Sequence, residues 1–143
     1  MKPQLKYAVQ LKKITDCPGS AAVSKKCSGF RYCFPKLNDP KNFLPRAHLN
    51  PSGRYRGRLV KECCEGYALS MYTSHGALVA KARLALKHSP KFLKYLGDHF
   101  VELAISASDG ICTPPANGGH FSFFEAVGFD PLKAVKAHAV LAL

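Results

Sequence analysis

Lys12, Lys13, Lys25, Lys26, Arg31, Arg46, Arg54, Arg56 and Arg58 share the first part of this chain with Tyr32 and Tyr55. Cations neutralise phosphates and aromatic faces stack on bases, so this combination fits single-stranded nucleic acid. The steps Arg31-Tyr32 and Arg54-Tyr55-Arg56 are its most local form. Up to Lys61 there are fourteen Lys and Arg against Asp16 and Asp39, while from Glu62 onward there are seven of each sign. The whole formal charge of +12 therefore lies in the first part of the chain. Charge this one-sided repels itself in a compact state unless a partner offsets it, which points to a polyanion. The helical stretches are close to neutral and offer no basic recognition helix, so RNA or single-stranded DNA is favoured over duplex. An acidic protein is a further partner of the right sign, and on that reading the chain is an interaction or inhibitor protein.

A second reading is a small enzyme acting on nucleic acid or a nucleotide, with arginines on the phosphate and a histidine as acid or base. His48 lies beside Asn50 in the basic loop Pro45–Pro51. His120 follows Asn117-Gly118-Gly119, where consecutive glycines offer backbone N–H groups to an anion. On a helix, His120 and Glu125 stand about 140° apart and need separate partners. Cys64, between Glu62 and Glu65, has the wrong electrostatic sign for a nucleophile. Cys112, in a Pro/Gly loop ahead of His120, permits a Cys–His pair. Cys17, Cys27, Cys33 and His48 are the candidates for zinc, but the tight Cys pair of structural zinc sites is missing. We therefore expect no cofactor, and thiols that behave as small apolar residues.

The elements that must position these groups fall into two portions, a basic strand-and-loop portion over 1–57 and a helical portion over 58–143. Leu5, Tyr7, Val9 and Leu11 alternate with polar or small residues, the period of a half-buried strand, and Phe30, Tyr32 and Phe34 do the same. Between Pro35 and Gly57 four prolines exclude a long regular element, and the cations there suggest a binding loop. From Arg58 the residues Leu59, Cys63, Tyr67 and Met71 recur at helical spacing. Ser74 is an N-cap for a helix over Ala77–His88. Ser89-Pro90 starts another, reaching about Ala107 with Phe92, Leu93, Leu96, Phe100, Leu103 and Ala104 inward. A short aromatic helix over His120–Val127 stops at Gly128, and Asp130-Pro131 opens the last. The expected fold is α+β: a small strand-and-loop portion packed on a C-terminal bundle of four to five short helices.

At 143 residues the chain fits one domain, which buries roughly 68–70% of its unfolded surface. With 47% apolar and 21% charged residues it is globular in composition. Charges interleave with the apolar residues of the N-terminal stretch, against a secretory signal, and no stretch approaches the roughly 20 apolar residues of a membrane-spanning helix. We expect a soluble cytoplasmic protein with reduced cysteines. The last helix ends in the apolar run AHAVLAL, a possible homo-oligomer contact.

Overall fold

The computed structural model describes residues 2–143. In chain order the elements are α1 (Ala8–Leu11), β1 (Cys27–Cys33), α2 (Arg46–Leu49), β2 (Arg54–Tyr55), β3 (Arg58–Leu59), β4 (Leu69–Tyr72), α3 (His75–His88), α4 (Phe92–Leu96), β5 (His99–Ile105), β6 (Gly110–Cys112), β7 (His120–Glu125), α5 (Pro131–Ala134) and β8 (Val135–Val140). Six strands form one sheet in the order β6-β7-β4-β1-β5-β8, and every pairing is antiparallel. The remaining two, β2 and β3, form a small hairpin.

The fold is mixed α+β, but the expected C-terminal helical bundle is absent: β4 to β8 all lie in the stretch read as helical. Most of the difference has a local cause. The helix expected to run from Ser89 to about Ala107 stops at Leu96, because Gly97 takes φ +96° and its backbone lies against the Cys33 carbonyl where no Cβ fits. Beyond it Val101, Leu103 and Ile105 are buried at every second position, a strand period that the spacing of Phe100, Leu103 and Ala104 disguised. In His120–Glu125 every residue after His120 is buried, so burial shows no alternation, and the aromatic content favours a strand. From Leu59 to Met71 the helical spacing belongs to two 3₁₀ turns, Val60–Glu62 and Cys64–Tyr67, and to β4. Gly66 makes this possible by packing its backbone on the Val60 carbonyl. In the N-terminal stretch the expected strand over Leu5–Leu11 is instead the single helical turn α1, entered through a bridge between Leu5 and Ala126.

Two capping signals read correctly. Ser74 accepts a hydrogen bond from the Ala77 N–H at 3.0 Å and starts α3. Asp130 caps Leu132, yet α5 lasts only to Ala134 before the chain becomes β8. The chain over Val135–Val140 is therefore the edge strand β8 and not the expected last helix.

One face of the sheet packs Leu69, Met71, Val101, Leu103, Phe121 and Phe123 with Phe129 and Cys112. The opposite face is covered from two sides. Over β1 and β4, Tyr32 and Tyr72 meet Leu78 and Ala82 of α3, with Phe92 of α4 beside them. Over β6 and β7, Ile111 and Phe124 meet Leu11, Ala47, Val60 and Tyr67 from α1, α2 and the 3₁₀ turns. A disulfide joins Cys17 to Cys64 within this second cover, with an S–S distance of 2.06 Å. That bond replaces the expectation that all six thiols are free, and removes Cys17 from any ligand set.

Candidate nucleic-acid interface

Between the two covers the middle of the sheet face is left open as a groove of about 420 Å³. Its floor is Ser70 and Tyr72 of β4 with His120 and Ser122 of β7, which the register places in facing pairs. One wall carries Lys81 of α3 with Phe92, Tyr95 and Leu96 of α4. The other carries Arg46, Leu49 and Tyr55, and Phe34 and Lys41 stand at the end where β1 gives way to its loop.

Arg31 borders the groove where two strands part, starting from the Val101 side of β1 and placing its guanidinium in the gap. β1 pairs with β4 only at Phe30 opposite Tyr72, whereas it pairs with β5 along its whole length. Beyond that point the Arg31 side chain bridges the gap, Nη1 donating to the Ser70 carbonyl at 2.8 Å and Nε to the Asn42 carbonyl at 2.9 Å. Asn42, 1% exposed, organises the loop that follows: its Oδ1 accepts from the Phe34 N–H, and its Nδ2 donates to the Lys36 and Leu37 carbonyls. The Pro-rich stretch is thus an ordered wall. Burial draws the Arg31 guanidinium down to about 10, so it remains charged at neutral pH. Among the described residues no carboxylate is ion-paired with it. Lys41, Arg46 and Lys81 add cations to the groove, and Glu65 is the carboxylate in its lining.

The aromatic rim divides by accessibility. Tyr55 is 38% exposed and Tyr95 68%. The Arg46 and Arg56 guanidinium carbons lie 6.0 and 5.1 Å from the Tyr55 ring centre, so cations flank an exposed face. Tyr32 also lines the groove, but its ring is held edge-on by Tyr72 and Phe92 and its hydroxyl donates to the Leu78 carbonyl at 2.6 Å. It supports the floor and offers no free face for a base.

On the floor, Ser70 Oγ and His120 Nε2 are 2.6 Å apart. Ser70 is exposed although its strand is interior to the sheet, which only an open groove allows. The His120 ring is half-buried and packs edge-on to Tyr72 at 5.3 Å between centres. Burial, and secondarily the charge of Lys81, hold its pKa below the usual histidine value, which favours the neutral ring. Glu125 lies at the other end of β7, where Lys6 Nζ pairs with it at 2.8 Å, so the two groups have separate partners. Strand alternation separates them, not the helical angle assumed from sequence.

Of the residues singled out from sequence, Arg31, Tyr32, Arg46 and Tyr55 line the groove. Lys12 and Lys13 are exposed just beyond α1, and Lys25 and Lys26 just before β1. Arg54, Arg56 and Arg58 are exposed on the β2–β3 hairpin, where Arg54 donates to the Gly57 carbonyl at 3.0 Å. His48 is outside the groove lining and packs its ring on Tyr7 at 4.7 Å. Cys27 and Cys33 remain free thiols, and among the described residues no His, Cys, Asp and Glu cluster in a way that could hold a metal. The Cys112 thiol is buried and pushed up to about 12, by burial and then by neighbouring Cys27, the opposite of an activated nucleophile.

Ser70, Lys81 and Tyr95 join the site only through the fold, and Lys41 joins it from the loop. Lys41 was visible among the cations of the Pro-rich loop, whereas a serine inside a strand and a lysine on a helix carry no local signal. Compared with protein-family models, curated proteins and solved structures, this chain shows no significant match.

Proposed function

We propose that this protein binds single-stranded nucleic acid in the groove, with phosphates on Arg31, Lys41, Arg46 and Lys81 and bases against Tyr55 and Tyr95. The observation that carries this reading is Arg31. Its charge is held at the border of the groove by two backbone carbonyls, with no carboxylate ion-paired to it among the described residues and N–H donors left over. Burying a cation is costly, Glu125, the carboxylate whose charge acts on it, is already ion-paired with Lys6, and an anionic ligand offsets the remaining cost. The exposed Tyr55 and Tyr95 supply the stacking surface that distinguishes a strand with free bases from a simple phosphate. A duplex hides its base faces and would leave this surface unused.

The test is affinity for labelled single-stranded RNA, single-stranded DNA and duplex DNA across a salt series. It compares the wild type with Lys41→Ala/Arg46→Ala/Lys81→Ala and with Arg54→Ala/Arg56→Ala/Arg58→Ala. Each phosphate contact on a single strand contributes a slope of about −0.7 in log affinity against log salt. Losing the groove set is expected to flatten the slope by about 2, and losing the hairpin set by less. Equal slopes for all three proteins, or preference for duplex, would refute the groove as the interface.

A further inference from the structure

We propose that the groove is also a reaction centre, in which Ser70 is a nucleophile towards phosphorus, His120 is its base, and the substrate is a phosphodiester of the bound strand. This rests on the binding reading above and gives it a chemistry. A nucleophile and base are recognised by a hydroxyl within hydrogen-bond reach of a basic nitrogen, with the ring held in place and a charged stabiliser nearby. All three are present. The Ser70 Oγ to His120 Nε2 distance is 2.6 Å, Tyr72 holds the imidazole edge-on, and Arg31 is anchored to the carbonyl of Ser70 itself. The pair is reachable, because Ser70 is exposed on the groove floor. The charged groups that line the groove are Arg31, Lys41, Arg46 and Lys81 with Glu65 opposite in sign, and Lys81 is the one whose charge acts on His120, an excess suited to the negative charge of phosphoryl transfer. Burial favours the neutral ring, the form that takes a proton.

The reaction balances with the groups in the groove. In the first step Oγ bonds to phosphorus, the bond from phosphorus to one ester oxygen breaks, the Ser70 proton passes to His120 Nε2, and the departing oxygen takes a proton from the Lys81 ammonium. In the second step a water enters where the leaving group was and its oxygen bonds to phosphorus, giving a proton to the now neutral Lys81. The serine–phosphorus bond breaks, and Oγ recovers its proton from His120. The net reaction consumes one water and yields an alcohol end and a phosphomonoester end. Nucleophile and leaving group remain on opposite sides of phosphorus in both steps, as in-line displacement requires.

The test uses diisopropyl fluorophosphate, a phosphorus electrophile, on the full chain, with intact mass to count adducts and peptide mass spectrometry to place them. Wild type is expected to carry one adduct on Ser70, and Ser70→Ala none there. His120→Gln keeps a side-chain hydrogen-bonding group without the base and is expected to label at least about 100-fold more slowly. Circular dichroism of both variants checks that they are folded. A single-stranded oligonucleotide is expected to protect Ser70, and a labelled oligonucleotide to be cut by wild type in the presence of EDTA and not by Ser70→Ala. No adduct on Ser70, or equal labelling of folded His120→Gln, overturns the proposal while leaving binding in the salt series intact. Labelling of Ser70 that bound oligonucleotide does not slow overturns the phosphodiester as substrate. Loss of salt-dependent binding altogether refutes the underlying binding reading instead.

Discussion

Replacing Lys6 by Met should destabilise the protein in a way that depends steeply on pH. Lys6 Nζ contacts Glu125 Oε1 at 2.8 Å and the Phe129 carbonyl at 2.7 Å. Glu125 is 2% exposed and its other oxygen has no partner among the described residues. Even with Lys6 present, burial raises its pKa above the ordinary carboxyl value. At this separation, and an effective dielectric constant of about 20, the pair attracts by roughly 6 kcal/mol. Glu125 need not lose all of that, because it escapes by taking a proton. For a carboxyl with an unfolded pKa of about 4.3, protonation costs about 3.7 kcal/mol at pH 7 and about 1 kcal/mol at pH 5. The lost bond to Phe129 adds about 1 kcal/mol at either pH. Because the raised wild-type pKa already costs part of that energy, the expected cost of Lys6→Met is at most about 4–5 kcal/mol at pH 7 and at most about 2 kcal/mol at pH 5. A raised folded pKa means that the folded state holds the proton between the unfolded and folded values, so stability falls as pH rises through that window. Lys6→Met widens the window upward. Urea unfolding of Lys6→Met, Glu125→Gln and the double variant at both pH values measures it, and the double variant should show only the pH-independent part. A Lys6→Met cost that is the same at pH 5 and pH 7 would refute the reasoning.

Tyr55→Ala and Tyr95→Ala should each weaken single-strand binding by about 1–3 kcal/mol without changing the salt slope, since stacking releases no counterions; a fluorescence titration at two salt concentrations reads both. Breaking the Cys17–Cys64 disulfide, which spans 47 residues, should lower stability by about 4 kcal/mol, measured by urea unfolding of Cys17→Ser/Cys64→Ser against the oxidised wild type. Because burial and Lys81 lower the His120 pKa, phosphorylation of Ser70 by the fluorophosphate should rise with pH through a midpoint below about 6.5 and be flat above it. The same shift means that the unfolded chain takes up a proton first on acidification, so wild type should lose stability relative to His120→Gln as pH falls through that window.

The parts of the fold that were legible in the sequence are those fixed by local chemistry. Ser74 announces α3 because a capping hydroxyl needs only the Ala77 N–H three residues on. Phe30, Tyr32 and Phe34 announce a strand, although β1 begins earlier, at Cys27. What misled was spacing without a stop. Phe92, Leu93 and Leu96 belong to a real helical turn, and the continuation to Phe100 and Leu103 looks periodic only if Gly97 is allowed to be helical. In β7 nearly every residue is buried, so the sequence pattern carries no period at all. The site followed the same division. Arg31, Arg46 and Tyr55 were visible as cations and aromatics in a basic segment. Ser70, Lys81 and Tyr95 come from the neutral part of the chain and reach the groove through strand register and the placement of α3 and α4.

This division bears on how binding and chemistry are coupled. The basic part of the chain does not form a separate binding module, because β1 lies between β4 and β5 in the middle of the sheet. It supplies Arg31, Lys41, Arg46 and Tyr55, while the neutral part supplies Ser70, Lys81, Tyr95 and His120, and the two sets face each other across one groove. Arg31 joins them physically, since its position is fixed by the Asn42 carbonyl on one side and the Ser70 carbonyl on the other. On the proposed reading, a nucleic-acid strand whose phosphate meets Arg31 is thereby brought to the residue that carries the Ser70 hydroxyl. On the proposed reading, removing the guanidinium takes away a phosphate contact and frees the Ser70 backbone in a single change. Arg31→Met should therefore slow Ser70 labelling by the neutral fluorophosphate as well as weaken strand binding, whereas Lys41→Ala, which holds no part of β4, should weaken binding alone. Labelling unaffected in a folded Arg31→Met protein would separate the two roles and leave Arg31 as a phosphate contact only.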